Sequence, residues 1–384
     1  MYQQLKEGSY HFLLHNDNIL ANIIDLKKRW LTMNTAVFLH GARDLRLGNY
    51  SPPAPQSGES MVNVAAVGIC GSDLHYYKDG GIGGATINNP FIPGHEFSGW
   101  LQEDVPHLNL QQGELVAVDP ATACHSCEWC KKGYHNLCPN VVFLGAPPYQ
   151  GALTQELPVP HSGLVKLPHQ ITAPQAAMLE PLGVCVHALD LAKVRLQETV
   201  AILGCGGIGL GVLQLLAQSS CGPVLAVDPQ THKVQKALDS GASAAAESLE
   251  VIDEYTNKRG CDLVIEATNS PDGFAHAVRA AAIGGRIVLI GIPDGDVYSS
   301  IAASEARRRG LDIRFSRRMG DVYPRSIELI REQKVDMDSV ISHHLTLDTT
   351  GDAFEWQASE ADGLIKSMIY PGKIPSGVTL KINE

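Results

Sequence analysis

The sequence predicts an α/β protein in two lobes, one β-rich and irregular, the other a doubly wound parallel sheet. Three observations carry this reading. From Thr199 an apolar run leads into a glycine fingerprint and an amphipathic helix. Strands and helices then alternate as far as Phe315, which demands a parallel sheet covered on both faces. Residues 35 to 158, by contrast, break into strand-sized pieces punctuated by glycine and proline.

Composition narrows the function. A chain of 384 residues is long enough for two domains, and its formal charge of −11 argues against nucleic acid as a partner. No apolar run approaches the roughly 18 residues of a membrane helix. Residues 1–32 hold short apolar patches broken by Asp17, Asp25 and Lys27-Lys28-Arg29, without the order of a secretory leader. They are taken as an extension ahead of the fold. Of nine cysteines, four crowd between Cys124 and Cys138, which in a reducing cytoplasm points to metal ligation and not to disulfides. Cys185, Cys205, Cys221 and Cys261 fall in apolar or turn contexts and are expected to be bystander thiols.

In chain order, Thr35–Leu39, Met61–Val67 and Glu114–Val118 are predicted strands, with a stiff loop at Ser51–Pro55. After the second strand comes Gly68-Ile69-Cys70-Gly71-Ser72-Asp73-Leu74-His75-Tyr76. Its thiol, hydroxyl and imidazole are suited to ligating a metal and carrying protons away from it. Gly80–Gly84 follows no strand and opens no helix, so it is expected to be a loop near the pocket and not a phosphate cradle. Gly94-His95-Glu96 sets an imidazole beside a carboxylate. Thiolate, imidazole and carboxylate together make a three-ligand zinc site with an open fourth position. Cys124, Cys127, Cys130 and Cys138 are spaced to wrap a second zinc tetrahedrally and close it to substrate.

The run Thr199–Leu203 reads as a buried strand ahead of Gly204-Cys205-Gly206-Gly207-Ile208-Gly209. Gly204 permits the tight turn, Gly206 admits a pyrophosphate, and Gly209 lets the helix sit close against the strand. Gly207 and Ile208 offer N–H groups at the helix start. The next strand, Pro223–Val227, ends at Asp228, where a carboxylate accepts the adenosine ribose hydroxyls and repels a 2′-phosphate. Pro229 and Gln230 bring no arginine, so NAD is expected over NADP. His232–Leu238 and Phe274–Ala282 are predicted helices; Asp262–Glu266, Gly285–Ile290 and Leu311–Phe315 are predicted strands. Thr268 and Gly291 follow strand ends on the cofactor side. Arg307–Arg309 forms a helix end closed by Gly310, and His343-His344 is assigned to the surface.

From about Met33 onward the chain resembles the zinc-dependent medium-chain alcohol dehydrogenases, and within them the polyol (sorbitol, xylitol, L-iditol) dehydrogenases. The resemblance rests on Gly68–Tyr76, Gly94-His95-Glu96, the four-cysteine lobe, Leu179-Glu180-Pro181 and the glycine fingerprint. It implies a GroES-like catalytic domain at 33–187 and 322–384, interrupted by a Rossmann NAD-binding domain at 188–321. It implies two zinc ions per chain, the catalytic one on Cys70, His95 and Glu96. Glu180 would be a further ligand or the partner of a zinc-bound water. Ser72 and His75 match the proton relay, and Tyr76 would line the pocket. An arginine aimed at the active-site glutamate is implied at Arg317 or Arg318, and Arg318 is grouped with the cofactor positions. The implied activity is reversible NAD-dependent oxidation of a polyol to a ketose by a cytoplasmic homo-oligomer, usually a tetramer. The competing readings are a zinc dehydrogenase of another secondary alcohol, of threonine or butanediol type, and an NAD-binding scaffold without activity. One departure bears on this: Val105 stands where the family pattern has Gly or Ala, and Trp100–Asp104 is short, which predicts a trimmed strand after Gly99.

Overall fold

The computed structural model describes residues 34–372. The predicted extension at 1–32 lies outside them, as do the last residues of the chain.

Two sheets organise the molecule. The first has seven strands. Its main path runs Leu164–Lys166, Leu115–Val118, Glu96–Leu101, Glu59–Gly68, Ser367–Tyr370 and His343–Thr346, with Glu156–Pro160 also pairing with Glu59–Gly68. Alternation along Glu59–Gly68 buries Val62 and Val64 in one core; a bulge between Val64 and Ala66 then shifts the faces, so that Val67 joins them while Ala66 packs into the other core. The chain therefore returns after the parallel sheet to complete the first one. Gly68 lies opposite Glu96 on one side and Met368 on the other, which brings Lys366 beside the strand that carries Glu96.

The strand after Gly94 is not trimmed. Glu96–Leu101 pairs antiparallel with both Glu59–Gly68 and Leu115–Val118, so the ladder is complete on both edges. Val105 is 1 % exposed and exchanges backbone hydrogen bonds with Leu110, closing a tight loop that a smaller residue would leave underpacked.

The second sheet has six parallel strands in the order Ala244–Ala246, Val224–Val227, Val200–Leu203, Cys261–Glu266, Ala281–Leu289, Asp312–Phe315. This is the doubly wound order, reversing direction between Val200–Leu203 and Cys261–Glu266, where a dinucleotide crevice opens. Val200–Leu203 and Val224–Val227 are buried along their whole length, as central parallel strands must be. The three alanines of Ala244–Ala246 carry no strand signature, which is why sequence periodicity passes over that edge.

His343 and His344 are not surface residues. His343 is buried on the strand paired with Ser367–Tyr370, and His344 Nδ1 lies 2.8 Å from the Tyr370 hydroxyl. The error arose because the strand is polar in sequence while tertiary packing covers it. Gly80–Gly84 is a two-residue hairpin, Gly81–Ile82 against Ala85–Thr86. Gly310 closes the helix Ala303–Arg309 in the left-handed region at φ 60°.

Candidate active site and metal centres

Cys70 caps the helix Gly71–Asp79 directly after the strand Glu59–Gly68. His95 immediately precedes the neighbouring strand, and Glu96 opens it. Strand adjacency thus converts a separation of many residues into a cluster: ligand atoms of Cys70, His95 and Glu96 all lie within 4.8 Å of one another.

Two side chains that the motifs did not single out hold this cluster. Asp73, 1 % exposed, accepts from Cys70 N at 3.0 Å and from Gly94 N at 3.3 Å, with His95 Nδ1 at 3.4 Å. Donation from Nδ1 leaves Nε2 as the lone-pair nitrogen, the usual arrangement for a metal-binding imidazole. Its clue in sequence is its place at the third helical position after Cys70, where a carboxylate completes a capping box. Lys366, also buried, sets its ammonium against Glu96 Oε2, an oxygen that makes no hydrogen bond of good geometry. A lone lysine in the apolar run Leu364–Tyr370 was the available clue.

The electrostatics suit a dication. Burial alone would push the His95 imidazole down, but Asp73 and the Cys70 sulfur outweigh it and hold it well above its ordinary value. Lys366 is likewise raised, with Glu96 and Cys70 overcoming desolvation. A buried pocket of thiol, imidazole and carboxylate, whose Glu96 Oε2 is met only by the Lys366 ion pair, fits zinc held by S, N and O donors. Glu180, on the first turn of the helix Leu179–Ala192, is pushed up to about 8 by burial, with His95 opposing and Glu96 adding to the shift. It is not among the three residues whose ligand atoms lie within 4.8 Å of one another.

Phe143 and Tyr76 flank the cluster. The Phe143 ring centroid lies 5.3 Å from that of His95, and the Arg318 guanidinium sits over the Phe143 ring at 5.3 Å. Arg318 Nη1 also donates to Asn136 O at 3.3 Å. Arg318, expected among the cofactor positions, thus makes these contacts with the β-rich lobe. Tyr76 is buried and stands edge-on to Phe91, with a phenol raised by desolvation. Ser72 lies on the first turn of the Cys70-capped helix. His75 is already engaged across the cleft: Nε2 donates to Ile292 O at 3.1 Å, and Nδ1 is 3.4 Å from Asp79 and 3.8 Å from Asp294.

Asp119 is a further, partly buried acid at this wall. Burial raises its carboxyl to about 6 from 3.8, with Asp321 adding to the shift and Arg318 opposing it. Because the folded pKa exceeds the unfolded one, stability from this group is lost as pH rises from about 3.8 to 6 and is flat above. Asp119→Asn is expected to raise stability above pH 6 by at most about 3 kcal/mol, with the gain vanishing near pH 4. Thermal melts at the two pH values check this.

The four-cysteine lobe is compact. Cys124, Cys127, Cys130 and Cys138 bring their sulfurs within 4.8 Å, with Cys138 3.5 Å from Cys124 and 4.0 Å from Cys127. A tetrahedron with Zn–S arms of about 2.3 Å has edges of roughly 3.8 Å. Backbone N–H groups of Cys124, Cys127 and Cys130 each reach a sulfur at 3.4 Å, stabilising thiolate charge. Hydrogen bonding from Ser126 and the backbone lowers Cys124 to about 5, whereas burial raises Cys130 to about 12. All four sulfurs become thiolates together only with a cation among them.

At the other wall, Gly204 turns at φ 91° and the helix Gly207–Ala217 begins. A side chain at Gly209 would overlap the Gly204 carbonyl, so that glycine is required for packing. Asp228 Oδ2 accepts from Cys205 N at 2.8 Å and Oδ1 from Gln230 N at 3.0 Å, each oxygen keeping a further lone pair. The Lys366 side chain also lies against Gly207, so metal cluster and glycine turn share one wall.

A metal cluster of this donor set, facing a dinucleotide crevice, defines a zinc-dependent dehydrogenase. Comparison with known proteins agrees. Residues 56–169 match the alcohol dehydrogenase GroES-like domain and residues 207–332 the zinc-binding dehydrogenase family. The chain is 31 % identical over 344 residues to sorbitol dehydrogenase of Bacillus subtilis, covering 88 % of this chain and 97 % of that one. It is 30 % identical over 338 residues to L-idonate 5-dehydrogenase of Vitis vinifera, covering 85 % and 92 %. Among solved structures, one from E. coli CFT073, named a short chain alcohol dehydrogenase and complexed with NADH, superposes with TM-score 0.80 at 25 % identity, covering 88 % and 100 %. The chain belongs to the zinc-binding medium-chain alcohol dehydrogenase family, and it is an oxidoreductase acting on alcohols with zinc and a nicotinamide dinucleotide. Among the described residues no helix is long and apolar enough to cross a membrane.

Proposed function

We propose that this enzyme oxidises a secondary hydroxyl of a polyol to a ketose, reversibly and with NAD, in a cytoplasmic homo-oligomer. The observation that carries the reading is the buried Cys70, His95 and Glu96 cluster beside the glycine turn. In this reading residues 33–187 and 322–384 form the catalytic domain and 188–321 the dinucleotide domain. Cys70, His95 and Glu96 hold a catalytic zinc, and Cys124, Cys127, Cys130 and Cys138 a structural one. Bound zinc supplies Lewis acidity that lowers the pKa of the alcohol, and bound NAD supplies the hydride acceptor. Asp73 fixes the His95 ring, and Lys366 balances Glu96. Glu180 stands ready beside the cluster to hold a water or substrate hydroxyl. Ser72 takes the alcohol proton and His75 passes it outward. Tyr76, Phe143 and Arg318 wall the pocket, Arg318 offering donors to the hydroxyls distant from the reacting carbon. A carboxylate ligand and this polar wall favour a polyhydroxylated substrate over a plain alcohol.

The test is NADH absorbance from zinc-replete protein offered sorbitol, xylitol, ribitol, L-arabinitol, butanediol and threonine, with NAD and NADP compared. Turnover restricted to butanediol or threonine overturns the polyol assignment, and none with any substrate overturns the catalytic one. Gly204, Gly206, Gly207, Ile208 and Gly209 cradle the pyrophosphate and Asp228 selects NAD. Asp228→Asn is expected to raise the KM for NAD about 10-fold and to narrow the preference over NADP, since a charged acceptor is worth about 1.5–3 kcal/mol. For the oligomer, the support is the edge strand Asp312–Phe315, whose Phe315 is 60 % exposed with Val297 and Tyr298 nearby, a template for pairing with a second copy. Light scattering on the purified protein measures the state, four copies being expected from the family resemblance.

A further inference from the structure

We infer that Glu266 is a positioning residue that ties together the two turns framing the nicotinamide half of the cofactor crevice. The inference rests on the dinucleotide-binding part of the proposed function and deepens it.

Glu266 ends the strand Cys261–Glu266, in register with Leu203 on one side and Leu289 on the other, at the point where the strand order reverses. Asp228 belongs to the next strand out on the opposite side of Val200–Leu203, so a dinucleotide spanning the crevice puts its adenosine there and its nicotinamide toward Glu266. The carboxylate is 2 % exposed, and burying a charge costs heavily unless hydrogen bonds replace water. It is satisfied locally. Oε1 accepts from Thr268 N at 2.8 Å and from the Thr268 hydroxyl in a short contact, while the Gly291 N–H donates to the Glu266 backbone carbonyl at 3.2 Å.

Three glycines from separate segments yield space to this pair. A Cβ at Gly273 would stand 2.6 Å from Glu266 Oε1 and 2.7 Å from Thr268 Oγ1. One at Gly291 would stand 2.7 Å from Glu266 Oε2 and overlap the Thr268 carbonyl. One at Gly204, in the phosphate turn itself, would meet Thr268 Cγ2 at 2.8 Å. The carboxylate therefore fixes Thr268, and Thr268 is the common packing partner of the phosphate turn and the Gly291 turn. The Thr268 hydroxyl donates to Glu266 and accepts from Ser270 N at 3.2 Å. It is spent within the protein, so this position serves the cofactor through backbone shape and not through its hydroxyl.

The experiment measures NADH binding by fluorescence and ADP-ribose binding by calorimetry on wild type, Glu266→Ala, Glu266→Gln and Gly273→Ala. Glu266→Ala is expected to weaken NADH by about 10-fold or more while ADP-ribose changes less than about 2-fold, because the phosphate turn keeps its own bond from Gly204 N to Val227 O whereas the Gly291 turn loses the carboxylate beside it. Glu266→Gln, which keeps an acceptor for Thr268, recovers most of the loss. Gly273→Ala, which crowds the carboxylate without altering charge, weakens NADH selectively. Equal weakening of both ligands, or unchanged NADH affinity, overturns the inference. If Glu266→Ala does not fold, the other two variants decide by the same comparison. Neither readout needs turnover: a wild type that binds NADH but oxidises no polyol removes the substrate assignment and leaves this inference to its own result.

Discussion

Cys70→Ser is expected to lower polyol turnover by about 1,000-fold or more, roughly 4 kcal/mol of barrier, while the protein stays folded. The two effects separate because Cys70 has two jobs. It caps the helix Gly71–Asp79, and a serine oxygen does that as well as sulfur does. It also faces His95 and Glu96 within 4.8 Å, where an alcohol is a far poorer zinc ligand than a thiolate. Metal analysis by plasma emission should fall from two zincs per chain to one, with the melting temperature little changed. Full activity with one zinc would remove the Cys70 cluster from the mechanism.

Cys138→Ser is expected to act in the reverse manner, through stability first. The lobe between Ala121 and Phe143 has almost no apolar core. Its elements are two-residue strands and the helix Glu128–Lys131, and Trp129, Tyr134 and Leu137 are largely exposed. Metal-linked folding of such small sites is worth about 10 kcal/mol or more, which exceeds anything the lobe's own packing supplies. Loss of one sulfur should leave one zinc per chain and open rapid tryptic cleavage at Lys131 and Lys132. Activity should fall as well, because Phe143, at the end of this lobe, packs against His95 and under Arg318. A variant that resists trypsin as wild type does would show that the lobe folds without its metal.

How far the site could be read in advance depended on how local each part is. The glycine turn, the helix behind it and the four-cysteine lobe are formed by neighbours in sequence, so spacing alone displayed them. The His95 and Glu96 pair was visible as a motif, but its union with Cys70 needed the register between Glu59–Gly68 and Glu96–Leu101. Asp73 was printed inside a motif and still passed over, since its value lies in reaching Gly94 and His95 on another strand. The short segment before Val105 predicts a trimmed strand after Gly99, but Glu96–Leu101 pairs on both sides and the turn closes through Val105 and Leu110, since unpaired ladder groups are costly.

By itself, then, the amino-acid order determined the two kinds of sheet, the phosphate turn, the acid that reads the ribose and the sulfur set of the outer lobe. Each is specified within a few turns of chain by backbone sterics and ligand spacing. Only the tertiary structure decided that Lys366 lies on Glu96 and against Gly207, that Arg318 faces the β-rich lobe, and that Glu266 binds Thr268 and borders Gly291. Those partners come from distant segments, and sheet register, which no single stretch encodes, sets which of them meet.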